Sequence, residues 1–89
     1  MLQEKLSDLI LVVESHLKLV KIKIKKNKKE LKDLENELKN NKYVDDERVE
    51  SDKTKILEEL AILKVEEYKL KKIFYRLNVC LTILNSETE

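Results

Sequence analysis

The stretch NNKYVDDERVESD, residues 40–52, decides the fold. It separates two stretches of regular apolar spacing. It contains neither glycine nor proline, and neither occurs anywhere in the chain, so a break here must come from softer signals. Asn40 or Asn41 can take the left-handed conformation that ends a helix where glycine is absent. Asp45 suits an N-cap, with Val44 before it and Val49 after it at the positions of a hydrophobic staple. Asp46, Glu47 and Glu50 place negative charge at the positive end of a helix starting there. The chain is expected to turn at about 41–45.

Before the break, Leu6, Ile10, Val13, Leu17, Val20, Ile24, Asn27, Leu31, Leu34 and Leu38 follow alternating steps of four and three. This is a heptad seam with one polar member. Ile10, Leu17, Ile24, Leu31 and Leu38 are its a positions, and the others its d positions. After the break, Val49, Lys53, Ile56, Leu60, Leu63, Glu67, Leu70, Phe74, Leu77, Leu81 and Leu84 take the same steps, with Lys53, Leu60, Glu67, Phe74 and Leu81 at a.

Folding the chain at the break tests whether the two seams fit. Positions whose numbers sum to 87 pair Leu38 with Val49, Leu31 with Ile56, Ile24 with Leu63, Leu17 with Leu70, Val13 with Phe74, Ile10 with Leu77 and Leu6 with Leu81. Every a meets a d, so one antiparallel register serves the whole length. Three mismatches remain: Leu34 with Lys53, Asn27 with Leu60 and Val20 with Glu67. A lysine can snorkel. A buried glutamate costs several kcal/mol unless paired, so Glu67 is expected to reach a lysine or water. Among the flanking charges, Lys23 with Glu66 and Glu14 with Lys71 attract, whereas Lys21 with Lys64, Glu30 with Glu59 and Glu35 with Glu50 repel. Each exposed pair contributes under about 1 kcal/mol, so the apolar seam decides. The competing fold, one unbroken helix pairing between chains, must carry the polar stretch 40–52 through a coiled-coil interior. The sequence therefore predicts an all-α chain of two long antiparallel helices forming a coiled-coil hairpin. Helix 1 spans about 3–40 and helix 2 about 46–85, and two hairpins are expected to dimerise into a four-helix bundle.

Composition agrees. At 89 residues the chain is one domain with a small core, marginal unless something staples it. One cysteine and one histidine leave neither an internal disulfide nor a Cys/His zinc set, so association is the remaining route. Charged residues make up 42% on a leucine- and isoleucine-rich background, as in long helices. The longest apolar run, LILVV at 9–13, is far too short to span a bilayer, and no signal peptide is evident. A cytoplasmic protein with a reduced thiol is expected.

Three surfaces stand out. In an antiparallel pair the g positions of both helices share one side. At the open end these are Leu2, Leu9 and His16 on helix 1 with Ile73 and Cys80 on helix 2, an apolar strip of the kind that marks interaction sites. The opposite flank carries Ser7, Glu14, Lys71 and Asn78. On the back of helix 2, Ala61, Val65, Tyr68, Tyr75 and Val79 recur at helical spacing, with Lys72 between them. A helix apolar on two faces is usually covered on both.

The third surface is lysine-rich. Residues 18–32 hold eight lysines against one glutamate, and Lys21, Lys23, Lys25, Lys26, Lys28, Lys29 and Lys32 are the candidate phosphate contacts. They occupy every off-seam position rather than one stripe, as on the wet faces of a coiled-coil helix. Arginine, the better phosphate reader, is nearly absent, and no aromatic residue interleaves to stack a base. Glu58, Glu59, Glu66 and Glu67 lie alongside. Non-specific backbone binding nevertheless needs only charge, so nucleic acid stays as the alternative partner.

Catalysis finds little support. His16 has no carboxylate four residues away to orient it and reads as packing. Cys80 has only Arg76 nearby and reads as a small hydrophobe. Without glycine there is no phosphate loop and no nucleophile elbow. The acidic stretch Asp45, Asp46, Glu47, Glu50 and Asp52 lacks the ligand alternation of a calcium loop. The sequence thus predicts a non-enzymatic interaction or assembly module without cofactor, metal, small-molecule substrate or membrane, its partner being another protein or itself: an adaptor, a complex subunit or a small viral or mobile-element inhibitor.

Overall fold

A computed structural model of the chain describes residues 2–40 and 46–88. They form two helices, α1 (Leu2–Asn40) and α2 (Asp46–Thr88). The helices make an extended hairpin, with principal extents of 69 × 15 × 15 Å. The expected turn, with Asn41, Val44 and the Asp45 cap, lies outside the described residues. Asn40 is the last residue of α1 and has no positive φ.

The seams explain the hairpin. Each a and d position in both series above is buried or half-buried, and over 2–40 and 47–87 the other positions are exposed save Gln3, Glu14, Asp52 and Asn78. Gln3 continues the α1 seam by one more heptad step. The centre of the rod holds the core: Val20, Ile24, Leu60 and Leu63 form one buried cluster, with Leu31, Ile56 and Leu70 packed against it. Within it the sum of 87 pairs Ile24 with Leu63 and Leu31 with Ile56.

The polar seam members fare differently from one another. Lys53 reaches Glu35 on α1, Nζ to Oε1 at 3.7 Å. The sequence set Glu35 against Glu50 in repulsion, but the half-buried lysine lies within reach and binds it. Glu67 meets Lys71 at 3.7 Å one turn on in its own helix, so the buried-charge problem is met by a lysine. Glu14, expected to cross to Lys71, instead lies 3.6 Å from Lys18. Neighbours at i and i+4 on one helix are held at close range by the backbone itself. Asn27 is buried and its Nδ2 has no hydrogen-bond partner. It faces the Leu60 side of the seam, which offers none.

Burial is uneven along the rod. The seam is closed at its centre, where Leu17, Val20, Ile24, Asn27, Leu60 and Leu63 are all buried. Toward the open end, Leu6, Ile10, Val13, Leu70, Phe74, Leu77, Leu81 and Leu84 are only half-buried. On the turn side Leu31, Leu34, Leu38 and Ile56 are half-buried as well, and it is in its flanks that the open end differs. Lys21, Lys23, Lys28, Lys64 and Glu66 edge the centre, and their long methylene stems can lie over the seam. Ser7, Asn78 and Cys80 edge the open end and are too short to do so. Asn78 also turns back on its own helix, its Nδ2 donating to the Phe74 carbonyl at 2.8 Å. Among the described residues, no helix is long and apolar enough to cross a membrane.

Candidate interaction surfaces

The open end presents its apolar strip to solvent. Leu2 is 62% exposed, Leu9 51% and Ile73 46%, and His16 and Cys80 are exposed as well. His16 and Cys80 are thus flank residues facing outward rather than packed ones. The strip is wider than the g positions alone suggest. Val12, Leu19 and Ile83, at the neighbouring c positions, are exposed too. Leu9, Val12, His16 and Leu19 follow the steps three, four, three, a second seam beside the first. That spacing was available to find Val12 and Leu19. Beneath the strip lies the half-buried part of the main seam, so the apolar surface continues from the flank into the groove between the helices.

The back stripe of α2 is likewise exposed: Ala61, Val65, Tyr68, Tyr75 and Val79 all face solvent. It is not purely apolar. Lys72 Nζ sits 4.7 Å from the centroid of the Tyr68 ring, a cation–π contact. An open groove of ≈ 490 Å³ there is lined by Tyr68, Lys71, Lys72, Tyr75 and Arg76.

The lysines sort by face once α2 lies beside α1. One flank comprises the e and b positions of both helices. Between Glu14 and Glu35 it carries Lys18, Lys21, Lys25, Lys28 and Lys32 on α1, and opposite them Lys64 and Lys71 on α2 with Tyr68 and Tyr75. All nine are exposed, and no carboxylate occupies an e or b position over that length. The other flank, at g and c, sets Lys23, Lys26, Lys55 and Lys69 against Glu30, Asp33, Glu59 and Glu66, a balanced set. Lysines spread round α1 therefore become a one-sided basic surface, because no acid of α2 over that length falls at e or b. The two tyrosines on its edge belong to α2, which is why reading residues 18–32 alone finds no aromatic partner. Lys29 is at f, outside both flanks.

Nearer the turn, Glu30, Asp33, Glu37 and Asp52 line an open groove of ≈ 430 Å³ with Leu34, Lys55 and Ile56. Among the described residues, no group of three or more His, Cys, Asp and Glu side chains is placed to hold a metal ion. No protein-family model matches the chain, and no curated protein or solved structure matches it significantly.

Proposed function

We propose that this hairpin is a non-enzymatic protein–protein interaction or assembly module that engages its partner through the open end. One observation carries this reading: Leu2, Leu9, Val12, Leu19, Ile73 and Ile83 are exposed on one flank, beside a half-buried part of the seam. Contiguous apolar surface of this kind is uncommon on a chain that works alone. A lone pair of helices of this length is also close to balance between buried area and ordering entropy. A partner over the open end removes both difficulties. An adaptor, a complex subunit or a small inhibitor of another protein all suit this surface.

Leu9→Lys and Ile73→Lys test the reading. Each puts a charge in the strip while leaving the a and d positions intact. Association should weaken at least tenfold by sedimentation equilibrium, with helicity by circular dichroism unchanged. Association equal to wild type in both variants would remove the open end as the interface.

The one-sided basic flank favours a second reading, in which the same rod binds a nucleic-acid strand along its e and b positions. Seven lysines, of which Lys18 and Lys71 lie beside Glu14 and Glu67, supply the charge that backbone binding needs, and Tyr68 and Tyr75 supply faces on which bases stack. A fluorescent single-stranded oligonucleotide titrated at low and at moderate salt tests it. Absence of binding at low salt ends it.

A further inference from the structure

We infer that the open-end strip receives an acidic amphipathic helix of another protein, about five turns long. This rests on the open end being an interaction face, as proposed above, and commits to the chemistry of its occupant.

The spacing points to a helix. On α1 the strip runs Leu2, Lys5, Leu9, Val12, His16 and Leu19, in alternating steps of three and four. On α2 it runs Lys69, Ile73, Arg76, Cys80 and Ile83, in steps of four and three. All of these residues are exposed. In the register whose paired numbers sum to 87, the two rows lie side by side over levels 2–19 of α1. Each row is a second heptad seam, and two such seams with a half-buried groove between them form a seat for a third helix. A flat surface would touch the rows alone, whereas ridges of helical side chains enter the groove. Levels 2–19 extend over roughly 27 Å at 1.5 Å per residue.

The charge points to acid. The charged members of both rows are Lys5, Lys69 and Arg76, all cations. No carboxylate occupies a g or c position between Glu66, past the inner end of the strip, and Glu87, past its outer end. Asp8, at f, borders Lys5 from the back of α1, and Glu66 stands one turn before Lys69. None of the three cations is in an ion pair among the described residues. Arg76, which also edges the groove beside Tyr75, has no carboxylate within four residues on α2, and Leu9 and Val12 lie level with it on α1. Its guanidinium suits a carboxylate from outside.

Arg76 and Lys69 stand one heptad apart on the α2 edge of the strip, and Lys5 stands on the α1 edge. A helix with an apolar stripe in the groove answers all three if it carries two acids one heptad apart toward α2 and one toward α1. A second copy of this chain fits less well. A two-fold axis at the middle of the strip sets Arg76 against its own counterpart, so self-association is the weaker use of the same face.

A fluorescein-labelled helical peptide of three heptads, with leucine at a and d and glutamate at e and g, tests this against the same peptide with glutamine or lysine at e and g. Fluorescence anisotropy with the whole hairpin reads the affinities. The glutamate peptide should bind about tenfold tighter than the lysine peptide, with glutamine between them. Arg76→Glu should weaken the glutamate peptide roughly fivefold. Lys5→Glu, Lys69→Glu and Arg76→Glu together should reverse the preference toward lysine. Lys39→Glu, the same charge change at the other end of the rod, should leave the affinity within about twofold. Equal affinity for the three peptides, lost in Leu9→Lys, would overturn the acidic partner while leaving the open end as an interface. No binding of the glutamate peptide at millimolar protein, or equal losses in Lys39→Glu and Arg76→Glu, would overturn the inference. So would self-association tighter than peptide binding by sedimentation equilibrium, which would make a second copy the occupant. Displacement of the glutamate peptide by vesicles of phosphatidylcholine and phosphatidylserine would overturn it in favour of a lipid surface.

Discussion

The centre of the rod and its open end share one seam and one register, yet they are built for different surroundings. At the centre the seam is closed and Val20 retains 2% of its surface. At the open end residues of the same seam stay half-exposed. Seam composition does not explain it: the closed centre holds the polar Asn27 and, level with Val20, Glu67, whereas the seam of the open end is apolar from Leu6 on. The flanks differ. Lysine and glutamate stand at e and g beside the centre, and Leu2, Ser7, Leu9, Ile73, Asn78 and Cys80 beside the open end. The turn-side seam is half-buried too, at Leu31, Leu34, Leu38 and Ile56, yet charged side chains dominate its flanks. In a two-helix rod the seam fixes the register, and the flanks distinguish an end that offers apolar surface from one that does not.

The largest test of that contrast replaces one seam leucine in each region. Leu60→Ala, in the buried cluster, should cost about 2–5 kcal/mol, the range for truncating a buried leucine. Leu81→Ala, in the half-buried part, should cost about half as much or less in dilute protein, because less surface is lost from the core. Urea unfolding at low and high protein concentration reads both. If the open end is covered by association, the cost of Leu81→Ala should grow with concentration and that of Leu60→Ala should not. Equal costs in dilute protein would erase the distinction between the two regions.

The second test separates the flanks of the centre. Replacing Lys18, Lys25, Lys28 and Lys64 by Gln strips the basic flank. Replacing Lys23, Lys26, Lys55 and Lys69 by Gln strips the same charge from the balanced one. If the rod binds a single strand, the first variant should flatten the salt dependence by about three units of slope, at roughly 0.7 per phosphate contact, and the second should change it little. Equal effects would mean that net charge alone is at work. The block of Lys25, Lys26, Lys28 and Lys29, two of which lie outside the basic flank, should tolerate Gln with stability within about 0.5 kcal/mol of wild type, since all four are exposed and off the seam.

Most of this architecture is legible in the sequence. Spacing alone orders the seams, because steps of three and four leave one face for a partner, and the sum of 87 aligns them. The surfaces are less legible. Reading α1 by itself spreads its lysines evenly, and only the placement of Glu59 and Glu66 beside Lys23 makes one flank neutral and the other basic. That is a property of the pair. The ion pairs also escape pairwise counting. Glu35 is opposite Glu50 by number but reaches Lys53, and Lys71 prefers its own helix, because long side chains choose among several neighbours within one turn. Val12 and Leu19 escape a reading of the g positions for a plainer reason: they repeat at the right interval but occupy c, beyond the immediate flank.

Asn27 is the flaw in the closed centre. Its amide nitrogen is buried without a partner, and such a group costs about 1–3 kcal/mol. Asn27→Leu should therefore raise stability by about that amount in urea unfolding, closing the last polar gap between Ile24 and Leu31. A loss of stability would show that the amide is satisfied in solution and belongs to the design of the centre. A polar residue at a seam position can also fix register and partner number at the expense of stability. If Asn27 serves that end, the leucine variant should be more stable and should also populate additional oligomers in sedimentation. A gain in stability with wild-type mass would leave register to the rest of the seam.

The smallest effect lies where the centre passes into the turn-side end. Lys53 occupies a core position opposite Leu34 and is held by Glu35. Two effects compete there. The ion pair is partly exposed, 29% for the lysine side chain and 47% for the glutamate, so solvent screens it and its loss should cost under about 1 kcal/mol. The lysine stem packs on the seam whether or not the pair forms. Glu35→Gln removes the first effect and keeps the second, so stability should fall by a few tenths of a kcal/mol, about as much as molar salt removes from wild type. Lys53→Leu removes the pair and adds apolar surface to a half-buried site, and should come out neutral or slightly stabilising. If Lys53→Leu instead destabilises strongly, the pair carries more than its exposure allows, and the seam at this end is held by charge rather than by contact.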